Sequence, residues 1–193
     1  MKTAELVLPS DPTPMNTLPS GEASGRCGAV SQFQAERPPD SPRRRRHAMV
    51  IRKEIQINAP LSVVWNVFSR MEQWREWNDV CRNCCYVDGD EMAVDACFSF
   101  EIAPLYIPMK VQPRILRCDP GKEVVWAGGR LGVRAEHTFR FWEEGGGVRV
   151  LSEETFQGPL LAVGRLLRVP QRLHRLTEAF MEAIKQRAEA CAA

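Results

Sequence analysis

Alternation of apolar and polar positions is sharpest between Arg134 and Gly158, RAEHTFRFWEEGGGVRVLSEETFQG. With a period of two, His137, Phe139 and Phe141 share one face of a first strand, and Val148, Val150, Ser152, Glu154 and Phe156 share one face of a second. Glu143 to Gly147 supplies the turn between them, with three glycines able to take positive φ. If Phe141 pairs with Val150, then Phe139 lies opposite Ser152 and His137 opposite Glu154. A slip of one residue would put the two aromatic-rich faces on opposite sides of the sheet. The register therefore predicts an imidazole and a carboxylate facing one another on an apolar surface.

The pattern elsewhere fits the same kind of domain. Val50–Ile57 alternates as a first strand, with Ile51, Lys53, Ile55 and Ile57 on one face. Pro60 suits a helix start, and Leu61, Val64, Trp65 and Phe68 follow at helical spacing. Ser69 is placed to cap a second short helix, Arg70–Glu76, and Trp74 and Trp77 read as core packing rather than a binding platform. Strands are then expected at Asn83–Val87, Asp95–Ile102, Ile107–Cys118 (with Pro113 marking a bulge or an edge) and Lys122–Ala127. After Gly158-Pro159 a long helix is predicted from Leu160 to about Ala190. Leu166, Val169, Leu173, Leu176, Phe180, Ile184 and Arg187 recur along it close to the helical period. Pro170 should kink or break it near Arg168–Val169.

Composition narrows the function classes. The chain has 193 residues and a net charge of +2. Residues 1–48 carry seven Lys/Arg against five Asp/Glu, and the remainder is balanced. A neutral domain lacks the basic footprint that nucleic-acid binding needs, so no nucleic-acid partner is expected. Residues 1–48 hold half of the fourteen prolines and one aromatic, which predicts a disordered N-terminal tail ending in Arg43–Arg46, with the ordered domain at 49–193. The pattern beginning at Val50 also fits a translation start at Met49. No apolar run is long enough to span a membrane, and the N-terminus lacks the apolar core of a secretory signal. Together with seven irregularly spaced cysteines, this is read as a cytoplasmic protein with reduced thiols.

Strand, two short helices, several antiparallel strands and one long helix, in that order, resemble the START-like (SRPBCC) superfamily, in particular its polyketide cyclase/dehydrase-like branch. The residues that carry the resemblance are Ile55-x-Ile57-x-Ala59-Pro60, Val64-Trp65, Trp74-x-x-Trp77-Asn78, Val125-Trp126-x-Gly128, His137-x-Phe139-x-Phe141 and Ser152-x-Glu154-x-Phe156-x-Gly158. The match spans residues 50–190 and leaves the tail uncovered. The resemblance implies an α+β helix-grip fold, in which a curved antiparallel sheet of about seven strands wraps the C-terminal helix. It also implies a hydrophobic cavity between sheet and helix, roughly 300–1,000 Å³.

Candidate chemistry centres on His137 and Glu154. A facing carboxylate can hold an imidazole's tautomer or raise its pKa, and the pair can act as general acid and base. The alternatives are a satisfied polar pair or a hydrogen-bonding handle for a ligand. Trp126, Phe98, Phe100, Met109, Phe139, Phe141, Ser152, Phe156 and Phe180 are candidate pocket residues, with ordinary core packing the alternative for the aromatics. Cys81, Cys84 and Cys85 lack the second pair of ligands that a structural zinc site uses, so no metal is expected, nor any cofactor. Arg165, Arg168, Arg172 and Arg175 lie along one side of the last helix, which suits contact with an anionic membrane surface or an acidic carrier partner, with a simple solvated face the alternative because Glu178 and Glu182 continue the same side. The reading is a protein that binds a small hydrophobic or amphipathic ligand, lipid or polyketide-like. The alternatives are a cyclase/dehydratase-type enzyme using the His–Glu pair, and a protein-interaction module of the chaperone-activator kind.

Overall fold

The structure, a computed structural model, describes residues 48–104, 107–130 and 132–193. The expected disordered tail, 1–48, lies outside this set apart from Ala48. Among the described residues eight antiparallel strands form one sheet: β1 (Met49–Ile57), β2 (Arg82–Asp88), β3 (Cys97–Ile102), β4 (Met109–Val111), β5 (Arg114–Asp119), β6 (Glu123–Arg130), β7 (Val133–Glu144) and β8 (Gly147–Gln157). Their order is β1-β8-β7-β6-β5-β3-β2, with β4 beside β3. Helix α1 (Leu61–Ser69) and a 3-10 helix (Met71–Glu76) follow β1, and α2 (Leu161–Leu166) and α3 (Val169–Ala192) follow β8. This is the expected helix-grip arrangement, with one more strand than the pattern suggested.

The central hairpin has the register that alternation predicts: Phe141 opposite Val150, Phe139 opposite Ser152, His137 opposite Glu154. Pairing continues outward, Trp126 to His137 on one side and Ile51 to Glu154 on the other. One row across four strands therefore reads Trp126, His137, Glu154, Ile51, and the row beside it Val124, Phe139, Ser152, Lys53. Two glycines set the hairpin's limits. A Cβ on Gly147 would collide with the Ile57 carbonyl oxygen. Gly158 (φ +146°) turns the chain off β8 where a Cβ would collide with the Gly132 carbonyl oxygen. Neither site has room for any side chain.

Three expectations need correction. The strand expected over Ile107–Cys118 is two strands, β4 and β5, because Pro113 has no N–H for the ladder and restricts the residue before it. Ser69 does not cap the second short helix: it is the last residue of α1, and the 3-10 helix begins from Arg70 with no side-chain cap. The C-terminal helix breaks in two where Pro170 predicts, but the break displaces the expected apolar stripe. Arg168 takes a left-handed conformation (φ 56°) between them, and Pro170 occupies the first turn of α3, where a missing N–H breaks no bond. That break resets the helical phase. Leu166, placed on the buried stripe by periodicity, is 84% exposed, and Arg187 is exposed, while Thr177, Met181 and Ala188 join Leu173, Phe180 and Ile184 on the buried face.

Two apolar clusters form where the sheet's inner face is covered. The larger contains Ile57, Phe68, Trp74, Phe98, Trp126, Phe139, Phe141, Phe180, Met181 and Ile184. Phe68 is its centre, with its ring 4.8 Å from Phe139, 5.0 Å from Phe141 and 5.7 Å from Trp74. The smaller contains Ile51, Phe156, Leu161 and Leu173, with Ile102, Ala135 and Val169 packed around it.

Candidate functional site

His137 and Glu154 are brought together by neighbouring strands whose register admits no other pairing of the two apolar faces. Nδ1 of His137 lies 3.9 Å from Oε1 of Glu154, too far for a direct hydrogen bond. The imidazole's other nitrogen, Nε2, lies 2.7 Å from Oγ of Ser152, a fully buried hydroxyl one row along the sheet. Ser152 therefore holds the ring in place, and its hydroxyl can serve either tautomer, donating to a bare Nε2 or accepting from Nε2–H. Trp126 and Phe139 flank the ring, with centroids at 5.3 Å and 4.2 Å. The side chains of His137 and Glu154 retain only 13% and 19% exposure.

Burial decides the protonation states. It lowers the pKa of His137 from 6.5 to about 3 and raises that of Glu154 from 4.5 to about 8. Both groups are consequently uncharged near neutral pH: a neutral imidazole beside a protonated carboxylic acid. This corrects the expectation that the carboxylate raises the pKa of the histidine. At 3.9 Å without a hydrogen bond, the attraction gained by charging both groups does not offset their desolvation.

Of the other sequence-derived candidates, Phe98, Trp126, Phe139, Phe141 and Phe180 are all buried in the larger cluster; Phe98, Trp126, Phe139 and Phe180 form a run of ring contacts, and Phe141 joins through Phe68. Phe100 stacks on Phe98 and is half-buried. Met109, on β4, pairs with Ile102 of β3, and Phe156 belongs to the smaller cluster. The set therefore divides between two clusters, with the His137–Glu154 row on the strands that join them. Two hollows lie elsewhere on the molecule. One of about 340 Å³ is lined by Trp65, Met71, Tyr86 and Glu91 among others, and one of about 460 Å³ by Asn58, Pro60, Glu143 and Ala192 among others.

Sequence reading missed Lys53 as a neighbour of the pair. It lies opposite Ser152, and its Nζ reaches Oε1 of Glu178 on α3 at 2.5 Å, tying the first strand to the helix beside the site. A lysine on an inward face was the available signal. Cys81, weighed in the sequence only as a metal ligand, lies close enough to Glu154 to feel its charge. Burial, and then the nearby Cys84 and Glu154, push its thiol well above the ordinary range, so it is neutral and unreactive. Cys84 is buried, whereas Cys85 is exposed with Sγ 3.3 Å from Oγ of Ser99. Among the described residues no group of three or more His, Cys, Asp or Glu could hold a metal ion. Arg168 and Arg175 are exposed and Arg172 is half-buried, while the side chain of Arg165 lies outside the described set.

A family model described as polyketide cyclase / dehydrase and lipid transport matches residues 48–189. No curated protein matches the chain. Solved structures share the fold at low identity. TTHA0849 from Thermus thermophilus aligns with a TM-score of 0.65 at 18% identity, over 75% of this chain and 100% of that one. The di-domain ARO/CYC StfQ of the steffimycin biosynthetic pathway aligns with a TM-score of 0.61 at 14% identity, over 78% of this chain and 52% of that one. A norcoclaurine synthase from Thalictrum aligns with a TM-score of 0.60 at 15% identity, over 76% of this chain and 97% of that one.

Proposed function

The chain belongs to the polyketide cyclase / dehydrase and lipid transport family, and on that footing we propose that it binds a small apolar or amphipathic molecule carrying a carbonyl or hydroxyl oxygen, seated at the His137–Glu154 pair. The observation that carries this reading is the 3.9 Å gap between Nδ1 and Oε1. One oxygen can lie within ordinary hydrogen-bond distance of two polar atoms at that separation. Both groups are uncharged near neutral pH, so a carbonyl or hydroxyl suits them better than an ion. Trp126, Phe139 and Phe156 supply apolar surface on the same side of the sheet. Trp126 and Phe139 pack against the imidazole, so ligand entry is assigned to the side of the smaller cluster, at Phe156.

Native mass spectrometry of the purified chain, with its organic extract analysed in parallel, tests this. The expected result is an extra mass that extracts into solvent and that Glu154→Leu no longer retains. A ligand-free mass, together with unchanged tryptophan fluorescence across a panel of aromatic ketones and long-chain alcohols, would rule the reading out.

A second reading, a cyclase- or dehydratase-type enzyme, is favoured by one feature. A carboxylic acid that keeps its proton to about pH 8 is poised as a general acid near neutral pH, beside an imidazole left unprotonated to receive a proton. Glu154 would donate to a substrate carbonyl while His137 accepts a proton from the adjacent carbon. Undiminished turnover in His137→Ala, on whatever substrate the extract identifies, eliminates it.

A further inference from the structure

The segment linking β8 to α3 exposes apolar side chains that no described residue covers. Leu160 is 47% exposed, Val163 52%, Leu166 84% and Leu167 55%, four aliphatic residues within eight positions. Leu161 points the other way and anchors the segment in the smaller cluster with Ile51, Phe156 and Leu173. From Gly158 to Thr177 the chain has four arginines and one histidine and no Asp or Glu. Arg168 and Arg175 are exposed and Arg172 is half-buried. Aliphatic side chains held outward beside a purely basic stretch match a bilayer interface, where apolar groups enter the acyl boundary and cations meet lipid phosphates.

We propose that Leu160–Arg175 is a docking surface for an anionic lipid bilayer. No helix among the described residues is long and apolar enough to cross a membrane, so the surface is touched rather than spanned. A second copy of the chain is the less favourable occupant, because pairing this face with itself sets arginine against arginine with no carboxylate between them. The break at Arg168 is what makes the surface. A continuous helix would carry Leu166 onto the buried stripe, whereas the left-handed arginine turns α2 outward. The proposal does not depend on the identity of the ligand at His137 and Glu154.

Vesicle flotation with the full chain tests it, comparing phosphatidylcholine alone with phosphatidylcholine containing about 30% phosphatidylserine. Binding is expected only to the anionic vesicles, weakening as salt rises. The double substitution Leu166→Ser, Leu167→Ser is expected to weaken it at least about tenfold with an unchanged circular dichroism spectrum. Arg43–Arg46 is also basic and is left intact by that variant, so equal binding by the variant and the parent assigns the affinity to the N-terminal run and overturns the proposal. Arg175→Glu is expected to weaken binding to the anionic vesicles by several-fold. Equal binding to neutral and anionic vesicles also overturns it, as does a dimer in sedimentation that the leucine substitutions dissolve.

Discussion

Replacement of Glu154 by glutamine should change how stability depends on pH, and the sign follows from the site. The folded state holds the Glu154 proton to about pH 8, whereas the unfolded chain releases it near 4.5. Between those values the folded state binds more protons, so stability falls as pH rises. His137 acts in the opposite sense. Its folded pKa is about 3 against 6.5 unfolded, so the unfolded state binds more protons in that range and stability rises with pH. The two slopes cancel between 4.5 and 6.5. Above 6.5 only Glu154 remains, and at about 1.4 kcal/mol per pH unit the interval to pH 8 costs about 2 kcal/mol. For a domain of this size that is a fall in Tm of about 6 °C. The thiols whose pKa values burial raises begin from 9, above this window. Urea unfolding at half-unit steps from about pH 5 to about 8.5 should show the wild-type falling above 6.5 and Glu154→Gln nearly flat there, since a neutral amide has no proton to lose. Parallel curves for the two proteins would refute the claim that burial holds Glu154 neutral. His137→Asn should remove the corresponding fall on the acid side, between pH 4.5 and 3.

Phe68→Ala should cost about 3–5 kcal/mol in chemical unfolding, because a fully buried ring touching Trp65, Trp74, Trp126, Phe139 and Phe141 leaves a cavity that the sheet cannot close. Gly158→Ala should destabilise by about 2 kcal/mol or more, since positive φ and the Gly132 carbonyl oxygen both resist a Cβ; an unchanged Tm would contradict the strained turn. Arg168→Gly should raise stability by about 1 kcal/mol by relieving a left-handed arginine, while reducing binding to anionic vesicles. Iodoacetamide labelling of the native protein, mapped by peptide mass, should modify Cys85 and Cys191 and spare Cys81 and Cys84, whose thiols are buried and, for Cys84, pushed up to about 12.

What the sequence determined by itself was whatever repeats with a fixed period. Strand alternation has a period of two, so the hairpin register, the facing of His137 and Glu154, and the inward set Ile51, Lys53, Ile55 and Ile57 all followed from the order of residues. Punctuation by proline was legible in part: Pro170 marked the helix break correctly, while the division of one expected strand into two at Pro113 needed the neighbouring β3 to show where pairing resumes. Tertiary structure alone decided three things. It placed Ser152 rather than Glu154 in hydrogen-bond contact with the imidazole, a choice made by a displacement of one row across the sheet that no periodicity encodes. It set the protonation states, because desolvation depends on how much protein surrounds a group and not on which residues adjoin it in sequence. It turned Leu166 to the surface, because a single left-handed residue shifts the phase of everything before it, and the helical period holds only while the helix is unbroken.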